Sequence, residues 1–153
     1  MMGVLMDSSS LTADVGFLLS RASGQLIRAT NAALAVHGLR VRSYSALLLA
    51  CDSGDGMSQR DLAEVLGLDP SQVVPLVDEL TESGLVERHP SESDRRTKLV
   101  RATGAGHAVR RHAERSVGAA HRAQLDGLSA GEQEQLRGLL GRLVLSGQSA
   151  PQP

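Results

Sequence analysis

Aromatic residues are almost absent from this chain. Phe17 and Tyr44 are the only two among 153 residues, and there is no tryptophan. Proteins that read single-stranded nucleic acid stack its bases on aromatic rings, so this scarcity argues against that class. Duplex DNA can be read through its grooves without aromatic side chains. Hydrophobic residues still make up 41% of the chain, which predicts an aliphatic, alanine-rich core.

Cysteine and long apolar runs are also scarce. The single cysteine, Cys51, excludes an intramolecular disulfide and fits a reducing compartment. Because it lies in the apolar run 46–51, we expect a buried, inert thiol. No stretch approaches the roughly 18 apolar residues of a membrane span, and the N-terminus lacks the basic and apolar segments of an export signal. The sequence therefore predicts a cytoplasmic protein without membrane contact.

Signals of catalysis are missing as well. The chain has no nucleophile–base–orienter set and no glycine-rich phosphate loop. Metal ligation by a helix requires histidines on one of its faces. The spacings between His107, His112 and His121 do not bring neighbouring pairs onto one face. We therefore expect no enzyme activity, no metal and no cofactor. The net charge of -1 also means that any DNA binding must come from a local basic patch.

The first half of the chain shows helical periodicity. Residues 1–10 are polar and are predicted to be a disordered arm, and 11–36 follow the spacing of one long amphipathic helix that Gly38 ends. A second, strongly apolar helix is predicted over 44–51. Ser58, with Asp61 three residues later, opens a short helix that runs to Leu66. The polar tail 148–153 is predicted to be disordered.

A clearly capped helix and a hairpin follow. Asp69 is placed as N-cap, Pro70 as first helical residue and Gln72 as the returning side chain, and Gly84 ends that helix. Strands over 85–89 and 97–102 flank a polar turn. Thr103 then caps a long helix to about residue 126, and Ser129 with Glu132 opens the last helix.

This order predicts a mainly α protein with a small β-hairpin wing. A winged helix–turn–helix DNA-binding domain would occupy 38–102, and helices over 11–37 and 103–147 would form a dimerisation region. We expect an apolar stripe on the long helix to be buried between two subunits, because long terminal helices in a small chain have few partners of their own. The stripe comprises Ala105, Ala108, Val109, Ala113, Val117 and Ala120.

The sequence of this unit resembles the MarR family of bacterial regulators. The similarity is carried by the runs 58–63 (SQRDLA), 66–73 (LGLDPSQV), 76–80 (LVDEL), 84–88 (GLVER) and 93–96 (SDRR), with Thr103 and Gly106 after them. The order and length of the flanking helices extend it over roughly 11–147. The combination of a capped helix, Gly-Leu-Val and an Asp-Arg-Arg wing is more specific than any single piece.

The resemblance implies a set of DNA-binding residues. Ser71 and Gln72 correspond to major-groove contacts, Asp94 would orient Arg96 toward the minor groove, and Arg95 and Lys98 would lie at the wing tip or face phosphates. The full candidate set is Arg60, Ser71, Gln72, Val74, Pro75, Arg88, Asp94, Arg95, Arg96 and Lys98. The resemblance also implies a two-fold homodimer and a cavity for a small aromatic or anionic effector, for which Arg21, Arg28, His37 and Tyr44 are candidates.

Two features depart from the family pattern. Relatives often carry Thr and Arg where this chain has Val74 and Pro75, and a proline there removes the backbone hydrogen bond to the Ser71 carbonyl. We therefore expect Gln72 to carry more of the base readout, with adenine as a candidate partner. Residues 58–83 contain one base and six acids, whereas 84–101 contain five bases and three acids. The wing should supply much of the affinity, which should fall steeply with salt.

Two functions follow from these observations. The first is a transcriptional repressor that binds a pseudo-palindromic duplex operator as a homodimer and is released by its effector. The alternative is a winged-helix protein-interaction module with weak or no specific DNA binding. The alternative is supported by the acidic residues of the recognition helix and by the arginine that this helix lacks.

Overall fold

A computed structural model describes residues 9–147 of the chain. It contains seven α-helices, one 3₁₀ turn and three short strands within that range. In chain order these are α1 (Ser9–Thr12), α2 (Val15–Leu34), the 3₁₀ turn (Ala35–His37), α3 (Val41–Asp52), β1 (Met57–Ser58), α4 (Gln59–Leu66), α5 (Pro70–Glu82), β2 (Val86–Pro90), β3 (Lys98–Ala102), α6 (Gly104–Gln124) and α7 (Ala130–Gly147). The predicted fold class, mainly helical with a small wing, is confirmed.

The N-terminal helix differs from the prediction of one element over 11–36. Asp14 breaks it: the backbone there is extended, and Oδ1 of Asp14 accepts a hydrogen bond from the Phe17 N–H at 2.6 Å, which makes Asp14 the N-cap of α2. Ser9 and Ser10, assigned by sequence to the arm, lie in the helical turn α1. The rest of that predicted arm, 1–8, and the predicted tail 148–153 lie outside the described residues.

The predicted caps of the later helices are present. The backbone N–H of Asp69 donates to Oε1 of Gln72 at 3.1 Å, so Gln72 returns to the start of α5 as the sequence predicts. At the start of α7 the Ser129 N–H donates to Glu132 at 2.8 Å, and the Glu132 N–H donates to the Ser129 hydroxyl. Gly84, with φ of 71°, follows α5 in the left-handed conformation that closes helices.

The wing is part of a three-stranded antiparallel sheet in the order β1-β3-β2. Val86 pairs with Ala102 and Pro90 with Lys98, close to the predicted hairpin. The sequence did not predict β1, whose Met57 pairs with Val100. Gly56, immediately before β1, has φ of 105°, and a Cβ there would lie 3.0 Å from the Leu99 side chain. This position thus requires glycine, both for its backbone conformation and for the close approach of β3.

The hydrophobic core joins α2, α3, α4, α5, the sheet and α6. Leu34, Leu47, Leu62, Val73 and Val77 are fully buried within it. Burying one such side chain stabilises the fold by roughly 1.5–3 kcal/mol. Because the two helix–turn–helix elements and the wing strands share this core, their relative positions are fixed.

The prediction for the apolar stripe on α6 was partly wrong. Ala113 and Val117 are buried in the core of their own chain, where α6 packs on α2 and α3, and Val109 packs against the same core. Ala105 remains exposed. Most of the exposed large apolar side chains lie instead at the N-terminal part of α2 and along α7. Within the described residues, every helix is too short or too polar to cross a lipid bilayer.

Candidate nucleic-acid interface

The N-terminal turn of α5 presents polar side chains to solvent from a rigid base. Ser71 and Gln72 are exposed, whereas Val73 and Val77 on the opposite face are fully buried. The cap uses Oε1 of Gln72, so its Nε2 amide donor and the second lone pair of Oε1 remain free. Bidentate adenine recognition is therefore compatible with the cap only if Oε1 accepts from the base as well.

Pro75 lies inside α5 without ending it. The helix continues from Pro70 to Glu82, and both Val74 and Pro75 are exposed on its surface. Because proline has no N–H, the Ser71 carbonyl loses its usual helical donor. The turn that carries Ser71 and Gln72 therefore has an additional backbone acceptor.

Arg88 is partly buried between β2, α4 and α5. From β2, its guanidinium donates to Oε1 of Gln59 on α4 at 2.9 and 3.1 Å and to Oδ1 of Asp78 on α5 at 2.5 Å. A longer contact of 3.5 Å reaches the Thr81 hydroxyl. This guanidinium thus connects the strand to both helices of the helix–turn–helix. Its geometry fits a positioning residue better than the DNA contact that the resemblance implies.

Asp94 organises the wing tip through the backbone. Its Oδ1 accepts from the Arg96 N–H and its Oδ2 from the Thr97 hydroxyl, both at 3.0 Å, and its carbonyl accepts from the Thr97 N–H at 2.9 Å. Asp94 therefore orients Arg96 by fixing its main chain, while the Arg96 guanidinium is left to solvent. An Asp at this position closes the turn, as Asp side chains commonly do.

Four exposed cations of the helix–turn–helix and the wing have no carboxylate partner among the described residues. Arg60 on α4 and Arg95, Arg96 and Lys98 on the wing are exposed, and none of them forms an ion pair within residues 9–147. Side chains of this kind are free to bind phosphate or enter a groove.

The acids of α5 lie away from its N-terminal tip. Asp78 is paired with Arg88. Glu79 and Glu82 come eight and eleven residues after Ser71, which places them about 12 and 17 Å along the helix axis. Three of the six acids in 58–83 therefore lie in the second half of α5, and the tip with Ser71 and Gln72 carries no acidic side chain other than the N-cap Asp69.

The four candidate effector residues lie in separate surroundings. Arg21 and Arg28 line a cavity of about 250 Å³ on the outer face of α2. His37 hydrogen bonds through Nε2 to the Ser116 hydroxyl on α6 at 3.0 Å. Tyr44 is buried, and this burial, reinforced by the charge of Glu114, raises the pKa of its phenol.

Cys51 is half-buried, which corrects the expectation of a fully buried thiol. Desolvation raises the pKa of the thiol, and the nearby Arg110 guanidinium opposes this shift only in part. A thiol with a raised pKa is a poor nucleophile at neutral pH, so the expected low reactivity of Cys51 is consistent with its position.

These elements together define a winged helix–turn–helix protein of the DNA-binding class. The solved structure of CouR from Rhodococcus jostii RHA1 bound to p-coumaroyl-CoA is similar, with a TM-score of 0.81, 48% identity and coverage of 89% of this chain and 95% of that chain. A transcriptional regulator of the MarR family from Rhodococcus sp. RHA1 matches with a TM-score of 0.81 and 47% identity, over 89% of this chain and 97% of that chain.

More distant similarity extends to a structure solved with DNA. A mutant of MarR from E. coli complexed with operator DNA matches with a TM-score of 0.75 and 26% identity, over 84% of this chain and 91% of that chain. A model of the MarR family matches residues 37–97. The chain belongs to the MarR family and is a DNA-binding transcriptional regulator, not an enzyme.

Proposed function

We propose that this regulator is a repressor that binds a pseudo-palindromic operator as a homodimer and releases it when a small effector binds. The observation that carries the DNA-binding surface is the tip of α5, with exposed Ser71 and Gln72, beside the unpaired wing cations Arg95, Arg96 and Lys98. Polar groups at a helix tip can read base edges, and arginines on a wing can enter the adjacent minor groove. Residues 38–102 would form the DNA-binding domain.

The dimer is supported by apolar surface that the chain itself does not cover. Leu139, Leu143 and Val144 lie on one side of α7 and are each at least 60% exposed. Such a patch on a small protein marks an interaction surface, and a two-fold axis would pair it with its own copy. The helices over 11–37 and 103–147 would thus hold two α5 helices at a fixed separation, close to one turn of DNA.

The effector class is supported by the ligand of CouR, which carries an aromatic acyl group on coenzyme A. An aromatic acyl-CoA thioester is both aromatic and anionic, and so fits the effector expected from the sequence. Release would follow if the thioester binds a state in which the two α5 helices no longer match successive major grooves.

Selection from a random duplex pool tests the DNA-binding part. We expect enrichment of an inverted repeat, with binding that weakens steeply as salt rises. The double variant Arg95→Ala/Arg96→Ala should lose affinity and flatten the dependence of log K on log salt by about 1.8, since each lost phosphate contact contributes about 0.9. Arg137→Ala, which removes a surface cation on α7, is the control. Failure to enrich any sequence, with the double variant unchanged, would favour the protein-interaction module.

Release is tested on the selected duplex. We expect p-coumaroyl-CoA to dissociate the complex at concentrations at which CoA alone and p-coumarate alone act weakly, because only the thioester combines both groups. A reporter gene placed behind the operator should be silent with the regulator and active when the thioester is supplied. A reporter that needs the regulator for activity would contradict the repressor role.

A further inference from the structure

The same spacing of arginine and glycine occurs on two helices. Residues 21–28 read RASGQLIR on α2, and 115–122 read RSVGAAHR on α6, so each has the pattern R-x-x-G-x-x-x-R. Each pattern lines a surface cavity, and the lining residues correspond one to one at a constant offset of 94. The α2 cavity is lined by Phe17, Ser20, Arg21, Gly24 and Arg28, and the α6 cavity by Arg111, Glu114, Arg115, Gly118 and Arg122.

In both patterns the second arginine folds back over the glycine. A Cβ on Gly118 would lie 3.4 Å from Nη1 of Arg122, and one on Gly24 would lie 3.5 Å from Nη1 of Arg28. The glycine therefore provides a floor without a side chain. Over this floor, the Arg122 guanidinium approaches the turn that carries Arg115.

The α6 cavity is the larger of the two, with a volume of about 530 Å³ against about 250 Å³ on α2, and it has more arginines. Arg111 stands where α2 has Phe17, which adds a third guanidinium. Within the described residues, no ion pair involves Arg111, Arg115 or Arg122. Nη2 of Arg115 lies 2.7 Å from Nδ1 of His112, a contact that involves no carboxylate.

The acid at the rim is already engaged. Oε1 of Glu114 accepts from Nε of Arg110 at 2.8 Å, and the same guanidinium binds Asp52. Arg110 and the two carboxylates sum to one negative charge, against three positive charges in the cavity. The surface therefore keeps a net charge of about +2, which favours an anion.

The position of the cavity separates it from the DNA-facing surface. On a helical wheel, residues 111, 115, 118 and 122 fall within an arc of about 60°, opposite the buried Ala113 and Val117. Arg115 lies about 16 Å along α6 from its wing-side end at Gly104. The middle of α6 is joined to the α2 side by the His37–Ser116 and Thr30–His121 hydrogen bonds. A two-fold interface centred on the cavity is also disfavoured, since its arginines would face their own copies.

We propose that the α6 cavity binds the phosphate groups of a small molecule that carries a diphosphate, as coenzyme A thioesters do. Three guanidinium groups line this cavity, which is more than one carboxylate needs, whereas a diphosphate has enough anionic oxygens to bind several of them. Arginine forks match phosphate oxygens in paired hydrogen bonds. That this molecule is the effector rests on the proposed function; phosphate binding by the cavity does not.

Titration calorimetry of the full chain with inorganic pyrophosphate, without DNA, tests the site. We expect binding that weakens with salt, and a loss of about tenfold for each of Arg115→Ala and Arg122→Ala, as removal of a charge-assisted contact predicts. Arg137→Ala, which removes the same charge from α7, should bind as the parent does. Equal weakening by all three variants would show a general charge effect and would overturn the proposal.

Gly118→Leu separates binding from folding. Leucine fills the floor beneath Arg122, so pyrophosphate affinity should fall about tenfold or more, while the better helix former should leave the melting temperature equal or higher. Gly138→Leu, which makes the same change on α7 where nothing lies within 4 Å, should keep the affinity. Full pyrophosphate affinity in Gly118→Leu would refute the proposal that phosphate binds in the α6 cavity.

Parallel DNA measurements distinguish this proposal from the proposed function. If pyrophosphate and CoA bind through Arg115 and Arg122 but no thioester releases DNA, the proposed phosphate site is supported and the proposed release by an effector is contradicted. If a thioester releases DNA equally from the parent and from Arg115→Ala/Arg122→Ala, release by an effector is supported. The assignment of its phosphates to the α6 cavity is then wrong. If these two arginines affect binding to duplex DNA but not to pyrophosphate, the cavity is a DNA contact and the proposal is wrong.

Discussion

The helix–turn–helix with its wing (57–102) and the helix α7 differ in how far they bury their apolar side chains. In the helix–turn–helix, Leu62, Val73 and Leu80 are at most 1% exposed, all within one chain. On α7, a helix that is unbroken from Ala130 to Gly147, Leu143 is 62% exposed and Val144 61%. A single chain thus completes the core of the helix–turn–helix and wing but does not cover the apolar side chains of its last helix.

This difference indicates which contacts require a second subunit. The helix α7 has 18 residues, and its apolar stripe comprises Leu136, Leu139, Leu140, Leu143 and Val144. Such a helix gains little stability in water unless its stripe is covered. In the proposed homodimer, each helix–turn–helix and wing would therefore fold within one subunit, while the placement of the two units on DNA would depend on contacts between subunits. Variants in each region should then affect different measurements.

The largest effect is expected from Leu143→Glu. A charge in the α7 stripe should separate the subunits without unfolding either one, because Leu143 has little contact in its own chain. Operator affinity should then fall by about 1,000-fold, since the second helix–turn–helix no longer binds at high effective concentration. Sedimentation should show a monomer with an unchanged circular dichroism spectrum. Gly138→Glu, which adds the same charge outside the stripe, is the control, and a Leu143→Glu protein that stays dimeric would contradict the comparison.

Leu80→Ala should affect stability instead of assembly. Leu80 is 1% exposed at the contact of α5 with the core, so truncation should lower the free energy of unfolding by about 3 kcal/mol through lost burial and a residual cavity. Urea titration of the monomeric Leu143→Glu background would measure this without contributions from dissociation. Leu145→Ala, at an exposed site on α7, should cost far less there. Equal losses from both variants would remove the distinction between the two regions.

The sequence was most informative where local chemistry decides the structure. The caps at Asp69 and Ser129 and the left-handed Gly84 were predictable because each depends on residues three or four apart. The two residues of β1 were not, because such a short strand has no periodicity and forms only through pairing with β3. The break at Asp14 was missed because the apolar spacing continues across it, although Asp is a favoured N-cap.

The candidate site divides in the same way. The exposure of Ser71, Gln72 and the wing arginines follows from their polarity and placement. The network of Arg88 does not, because Gln59 lies 29 residues away and becomes a partner only when β2 packs beside α4. The burial of Ala113 was likewise missed, since an alanine stripe fits a subunit interface and an internal helix contact equally well.

A smaller effect on DNA affinity should show whether Arg88 positions α5 or binds DNA phosphate directly. Arg88→Met keeps most of the volume but removes the hydrogen bonds to Gln59 and Asp78, and we expect affinity to fall about tenfold as α5 loses its brace. If Arg88 does not touch phosphate, the slope of log K against log salt should stay as in the parent. Gln59→Ala, which removes the α4 side of the network, should act in the same direction. A slope reduced by about 0.9 in Arg88→Met would identify a phosphate contact instead.

The smallest effect concerns the cap of α7, which matters because the chain itself covers little of that helix. The Ser129 N–H, and then its hydroxyl, lower the pKa of the Glu132 carboxyl by binding its charged form. A carboxyl with a lowered pKa in the folded state contributes stability that is present above the usual glutamate range and is lost as pH falls through the lowered value. The helical signal of the monomeric Leu143→Glu background should therefore decline slightly on acidification below that range. Adding Glu132→Gln, which keeps a capping side chain without a titrating proton, should flatten this decline. An identical decline in both proteins would mean that the end of α7 is held by packing within the chain, which would weaken the contrast between the two regions.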